Sequence, residues 1–157
     1  MDIDGRELRD ALGRFATGVC VITTNAQQKP LGMTVNSFAS VSLDPPLVLW
    51  SLQNNSDMYQ AFAQPSHFAI NILSKDQKNL SDLYARKGDH LLSADHYRIG
   101  KYGSPIIRDA LTTLECELET THEGGDHLII VGKVRDMHTR PTGKPLLFFS
   151  GAYRELH

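Results

Sequence analysis

The sequence predicts a mainly β domain, an antiparallel barrel with about three peripheral helices. Three observations carry this. Short apolar runs alternate with period two. Clusters of Gly, Pro and Asn punctuate them. No regular strand–helix–strand alternation is present, which argues against a parallel sheet. The reading gives about seven strands and three helices in one domain, residues 1–157, long enough for a core of its own.

Leu8, Ala11, Leu12 and Phe15 recur at helical spacing, so residues 4–15 read as an amphipathic helix. Gly18 breaks it, residues 19–23 read as a buried strand, and 27–30 as a turn. Residues 31–43 read as one long strand. One face carries Met33, Val35, Ser37, Ala39, Val41 and Leu43, the expected core face. The other carries Thr34, Asn36, Phe38, Ser40 and Ser42, polar but uncharged, unlike a face turned only to water. Asp44-Pro45-Pro46 ends it, because proline donates nothing to a ladder.

Residues 47–52 form the next strand, and Asn54-Asn55-Ser56 a turn. Ser56 suits the N-cap of a short helix with Met58, Ala61 and Phe62 on one face, stopped by Pro65. Phe68, Ile70 and Ile72 alternate as a strand. Ser74 and Gln77 fit a capping box before a helix using Leu80, Leu83 and Tyr84. Residues 87–107 read as a long loop. Leu114, Cys116, Leu118 and Thr120 face inward, while Thr113, Glu115, Glu117, Glu119 and Thr121 make a wet face. The segment 123–126 turns a hairpin, 127–137 returns, 141–143 turns again, and 146–153 is a last strand.

The formal charge of −2, with no Lys/Arg cluster, argues against nucleic acid. The charged N-terminus does not resemble a signal peptide, and no run approaches the roughly 20 apolar residues of a membrane span. Cys20 and Cys116 sit in apolar stretches and read as buried thiols suited to a reducing cytoplasm. No G-x-G-x-x-G follows a strand, and there is no P-loop, H-E-x-x-H, C-x-x-C or G-x-S-x-G. The seven histidines are too scattered to suggest a metal site. What remains is chemistry done by a borrowed cofactor.

Four segments together carry a resemblance. They are Phe15-Ala16-Thr17-Gly18-Val19, the long stretch 32–48 built around Thr34-Val35-Asn36-Ser37-Phe38-Ala39-Ser40, Gly125-Asp126-His127, and Phe149-Ser150-Gly151-Ala152-Tyr153. In this order the chain resembles the flavin reductase family of two-component monooxygenases. The resemblance implies a split β-barrel of the FMN-binding, Greek-key type, forming a homodimer with flavin at the subunit interface. It implies NAD(P)H-dependent reduction of FMN or FAD by hydride transfer to flavin N5, with NADH favoured and NADPH possible. Reduced flavin would pass to a separate oxygenase component.

By the same resemblance, Met33, Thr34, Val35, Asn36 and Ser37 run along the flavin ring and ribityl chain. Ser51, Leu52, Gln53 and Ser56 help hold ring and phosphate, and Tyr84-Ala85-Arg86 completes the phosphate site. His127, Gly151, Ala152 and Tyr153 lie near NAD(P)H. One departure stands out: Lys87-Gly88-Asp89-His90-Leu91 replaces the Asp-Arg-Phe that members often carry.

The residue chemistry agrees. Thr34 and Asn36 offer neutral donors and acceptors to a pyrimidine edge. Ser56 can cap a helix whose N-terminus faces a phosphate. His127 reads as a positioning group rather than a general base, because hydride transfer between stacked rings needs orientation above all. Trp50 reads as core. Two other readings share this site: a related reductase whose acceptor is a corrin, iron or another protein, and a non-catalytic split-barrel flavin carrier or sensor.

Overall fold

The computed structural model describes residues 2–157. Asp4 starts the first helix, α1 (Gly5–Leu12): its Oδ1 accepts the amides of Arg6 at 2.8 Å and Glu7 at 3.1 Å. Those amides would otherwise lack partners in the first turn. Then come β1 (Thr17–Gly18), β2 (Cys20–Ala26), β3 (Lys29–Val35), β4 (Ala39–Leu43), β5 (Pro46–Gln53), α2 (Tyr59–Ala63) and β6 (His67–Ile72). A 3-10 turn (Lys75–Gln77) leads into α3 (Lys78–Ala85). The chain closes with β7 (Tyr97–Ile99), β8 (Pro105–Ile107), β9 (Thr112–Gly124), β10 (His127–Thr139), β11 (Leu147–Phe149) and β12 (Ala152–Arg154).

Seven strands form one antiparallel sheet in the order β3-β2-β6-β9-β10-β5-β4. Its two outermost strands, β3 and β4, are consecutive in the chain and joined by three residues, Asn36 to Phe38. Four peptide links reach about 14 Å, whereas a flat seven-stranded sheet is about 29 Å across. The sheet must therefore curl until its edges meet, and it is a split barrel with its seam at residues 36–38. Ser37 fastens the seam: its Oγ accepts the Ser51 amide at 2.9 Å and donates to the Ser51 carbonyl at 3.3 Å.

Inside the barrel Trp50, Ile22, Ile70, Leu52 and Ile130 are fully buried, with Phe62 and Phe68 edge-on to Trp50. The two cysteines are buried as expected, and burial pushes both thiols up to about 12. A second apolar cluster, including Val21, Leu73, Tyr84 and Leu146, lies between the barrel and the outer elements.

Several expectations change. Residues 31–43 are two strands rather than one, since the three-residue seam interrupts them. The predicted core face survives at Met33 and Val35, but Val41 is 49% exposed and Leu43 96%. Their strand β4 is a sheet edge, and a register shift between Ser40 and Ser42 resets the alternation. Phe38, placed on the polar face, packs on the core instead. Helix α1 ends before residue 15, and Leu8, Leu12 and Phe15 lie exposed.

The loop 87–107 contains the hairpin β7–β8, which lies over β2, β6 and β9. That cover explains why Thr113 and Glu115, assigned to a wet face, are buried. Asn71, fully buried beneath it, donates to the Val21 carbonyl and accepts from the Ile107 amide and the Thr113 hydroxyl. Leu83 faces outward, and residues 146–153 are two strands, β11 and β12, turned at Ser150 and Gly151. The strand count rises to twelve among the described residues because the seam and this turn each split a predicted strand, the hairpin adds two within the predicted loop, and Thr17–Gly18 adds β1.

Gly132 sits in β10 beside a register shift, directly over the core. A Cβ there would stand 2.5 Å from Phe68 Cζ and 3.0 Å from Cys116 Cβ. Gly132→Ala is expected to lower unfolding stability by about 1–3 kcal/mol through overpacking. Urea denaturation followed by Trp50 fluorescence checks this, and an unchanged midpoint would refute the packing described.

Candidate active site

The seam opens into a cleft of about 620 Å³. The end of β3 supplies Met33, Thr34 and Val35, and the seam itself supplies Asn36 and Ser37. Across it stand Ser51 and Gln53 of β5, the turn 55–58, and His127 at the start of β10. The far end is closed by Tyr84, Ala85, Arg86, Lys87, Gly88 and His90, where α3 runs out. The cleft therefore has two chemically different ends. Its seam side is mostly neutral and polar, with Asp57 as its one carboxylate, while the end of α3 brings the two cations Arg86 and Lys87. That division suits an elongated ligand with a neutral heteroaromatic ring and an anionic tail.

Hydrogen bonds fix these residues from behind. Thr34 Oγ1 donates to the Ser81 carbonyl of α3 at 2.7 Å. The loop after α3 lies along β3: the Gly32 amide donates to the His90 carbonyl, the Leu92 amide donates to the Pro30 carbonyl, and His90 Nδ1 lies 2.8 Å from the Gly32 carbonyl oxygen. His127 pairs in register with Gln53. Its Nδ1 is 2.7 Å from Asp126 Oδ1, which holds the ring in one orientation. Asn54 clamps that turn, its amide donating to the Asp126 carbonyl and its side chain to the Gly125 carbonyl.

Most of the expected cofactor residues thus meet in one place: Met33, Thr34, Val35, Asn36, Ser37, Ser51, Gln53, Ser56, Ala85, Arg86 and His127. Leu52 does not join them, because alternation along β5 turns its side chain into the core, where it is 1% exposed. Gly151, Ala152 and Tyr153 also lie outside the lining. Tyr153 connects to the cleft at second hand, its hydroxyl 2.6 Å from Ser81 Oγ on the helix that holds Thr34. Burial raises the Tyr153 phenol above the usual tyrosine range, opposed by the Ser81 hydrogen bond and supported by Asp82.

Ser56 caps a turn rather than a helix. Its Oγ accepts the Met58 amide at 3.1 Å, and α2 begins only at Tyr59. At five residues α2 is too short for its dipole to hold a phosphate.

Sequence reasoning missed Asn55, Asp57, Met58, Lys87, Gly88 and His90 as lining residues. The departure after Arg86 hid the last three, and the left-handed backbone of His90, φ 57°, has no sequence signal. A second cleft, also about 620 Å³, adjoins the first and shares Asp57 and Met58 with it. Among the described residues no group of three or more His, Cys, Asp or Glu could hold a metal ion, and no helix is long and apolar enough to cross a membrane.

The family profile described as "Flavin reductase like domain" matches residues 12–157. The chain is 47% identical over 150 residues to FMN reductase (NADH) SmoA of Agrobacterium fabrum, covering 96% of this chain and 85% of that protein. It is 44% identical over 149 residues to the reductase component of the flavin-dependent trigonelline monooxygenase of Acinetobacter baylyi. That match covers 94% of this chain but 48% of the relative, so the chain spans about half its length. Among solved structures, the NADH:FAD oxidoreductase SgcE6 of Streptomyces globisporus C-1027, in complex with NAD and FAD fragments, superposes with a TM-score of 0.92. It is 34% identical, with coverage of 100% of this chain and 97% of that one.

The hydrogen bond from His127 holds the Asp126 carboxyl below the usual carboxylate range, and the charge of the imidazolium adds to this. The pair is therefore formed above that range and lost as pH falls through the lowered value. In His127→Gln the carboxyl is expected to titrate higher, toward 3.8. Carbon-13 NMR of the Asp126 carboxyl checks it; an unmoved midpoint would mean the two groups do not interact.

Proposed function

This chain belongs to the flavin reductase like domain family, and from that premise we propose that the seam cleft is where it binds the flavin it reduces. The protein is an NAD(P)H:flavin oxidoreductase working on FMN or FAD. It supplies reduced flavin to a separate monooxygenase component, the arrangement named for its relatives.

The observation that carries the assignment is the split character of the cleft. Arg86 and Lys87 bind the anionic tail of the flavin. Asn36, Gln53 and the backbone of the seam meet the polar edge of its ring, while Met33 and Val35 form an apolar wall. When bound, the flavin supplies the acceptor for the hydride of the nicotinamide. The chain contributes orientation and the exclusion of water, which suffices for transfer between stacked rings. His127, steadied by Asp126, stands at the mouth and positions the nicotinamide without acting as a base. Leu52 serves only through its backbone. Gly151, Ala152 and Tyr153 act on the site through the Ser81 link rather than by lining it.

The active form is a homodimer. Supporting this, Leu12, Phe15 and Leu43 leave large apolar side chains exposed, more than a lone domain would keep. The two buried, unpaired thiols suit the cytoplasm.

Anaerobic oxidation of NADH with excess FMN or FAD, followed at both absorption bands, tests the assignment. Many equivalents of flavin are expected to bleach. Bleaching of a single equivalent would instead mark an electron carrier, and none at all would overturn the reading. Arg86→Ala is expected to weaken flavin binding about tenfold, or about 1.4 kcal/mol, with the rate at saturating flavin retained. Unchanged affinity in that variant would remove Arg86 from the phosphate site.

A further inference from the structure

We infer that His96 is a positioning residue for the flavin cleft: its ring accepts the Tyr84 phenol and so fixes the loop that carries Arg86 and Lys87. The inference rests on the flavin assignment of the seam cleft.

The buried phenol is the first argument. Tyr84, on the last turn of α3, is among the cleft residues but is only 1% exposed, so its hydroxyl must be satisfied within the protein. The Ser93 amide donates to it at 3.1 Å, and His96 Nδ1 lies 2.8 Å away. A backbone N–H can only donate, so the phenol's single hydrogen still needs an acceptor, and Nδ1 is the one within reach. The phenol therefore donates to Nδ1, and the imidazole carries its own hydrogen on Nε2. The two rings meet edge-on, their planes at 90° and their centroids 5.9 Å apart.

Placement is the second argument. His96 is held from the barrel side: its carbonyl accepts the Arg108 amide at 2.9 Å, directly after β8, and the Arg108 carbonyl accepts Gln77 Nε2 at 2.8 Å. The chain leaves α3 after Ala85 and returns at Ser93, so the phenol joins the two ends of this loop to each other. His96 joins both ends to β8. Arg86, Lys87, Gly88 and His90, which close the cleft, all lie within the loop. Its far side is bonded to β3 through His90 and Leu92. Without an acceptor at residue 96 the phenol's hydrogen is buried and unpaired, a cost that loosens the root of the loop. The ring end of the cleft rests on β3, β5 and β10 instead, so the loss falls on flavin affinity rather than on hydride transfer.

The test is FMN binding to the full chain, read by flavin fluorescence, together with steady-state rates. The proteins compared are the unaltered chain, His96→Phe, His96→Asn, Tyr84→Phe and the double variant His96→Phe/Tyr84→Phe. Phenylalanine keeps a ring at residue 96 without the acceptor, and asparagine restores an acceptor near the place of Nδ1. His96→Phe is expected to weaken FMN about fivefold, with kcat at saturating flavin kept. His96→Asn should bind within about twofold of the unaltered chain. Tyr84→Phe should lose as much as His96→Phe, and the double variant no more than either alone. Nitrogen-15 NMR of the unaltered protein should show His96 protonated on Nε2 and bare at Nδ1, a pattern that Tyr84→Phe shifts; this readout serves where His96→Phe folds poorly. Flavin affinity unmoved in His96→Phe and Tyr84→Phe would overturn the inference. So would equal losses in His96→Asn and His96→Phe, which would give the role to the ring's shape, or a hydrogen found on Nδ1. Failure of the unaltered protein to bind either FMN or FAD would sink the cleft assignment, and this inference with it.

Discussion

The three residues between β3 and β4 are the constraint on which the architecture depends. They join the two ends of a seven-stranded sheet, and no flat sheet can satisfy so short a link. Curling brings β3 and β5 to the two sides of one cleft, while strand pairing sets β10 beside β5 and α3 packs against β3. Ser37 then locks the closure by giving both polar functions of its hydroxyl to the Ser51 backbone. Ser37, expected along the flavin and part of the cleft lining, is thus also a fastener of the fold.

The seam is also where ladder pairing stops. Residues 36–38 belong to no strand, so their backbone groups are not consumed by a neighbouring strand as those of β2 or β6 are. A barrel closed by pairing alone would offer a ligand only side chains. This one offers neutral backbone and amide groups at a single gap, lined by strands whose positions are set by a packed core. The outer edge of β3 is protected differently, by the loop 90–92 bonding along it, so one segment both covers a sheet edge and forms the end of the cleft.

What could be read in the sequence follows from this division. The strand runs, the buried thiols and the core Trp50 were legible because burial imposes a local period. The lining residues from Met33 to Ser37 were legible through the resemblance carried by the stretch 32–48, and the polar but uncharged face of Thr34 and Asn36 agreed with it. The seam itself was not, since an unbroken alternation from 31 to 43 does not reveal where a strand changes partner. Glu115 looked solvent-facing for a similar reason. Alternation gives the side of the sheet but not whether something lies over it, and the hairpin β7–β8 that covers it comes from a segment without periodicity.

The same limit decides which half of the cleft is harder to read. The ring end is built from strands and one hairpin turn, where register ties each residue to a partner, as Gln53 is tied to His127. The cationic end is built from the loop after α3, shaped by left-handed backbone at His90 and by hydrogen bonds to β3, 58 residues away in sequence for His90 and Gly32. Orientation of a ring demands rigid elements, because a small misplacement of stacked rings slows transfer steeply. Holding a phosphate demands only nearby cations, whose attraction falls off gently with distance. The loop can therefore differ from the family pattern after Arg86 while the strands keep theirs, and variation in the ligand's tail is accommodated where the fold is least constrained.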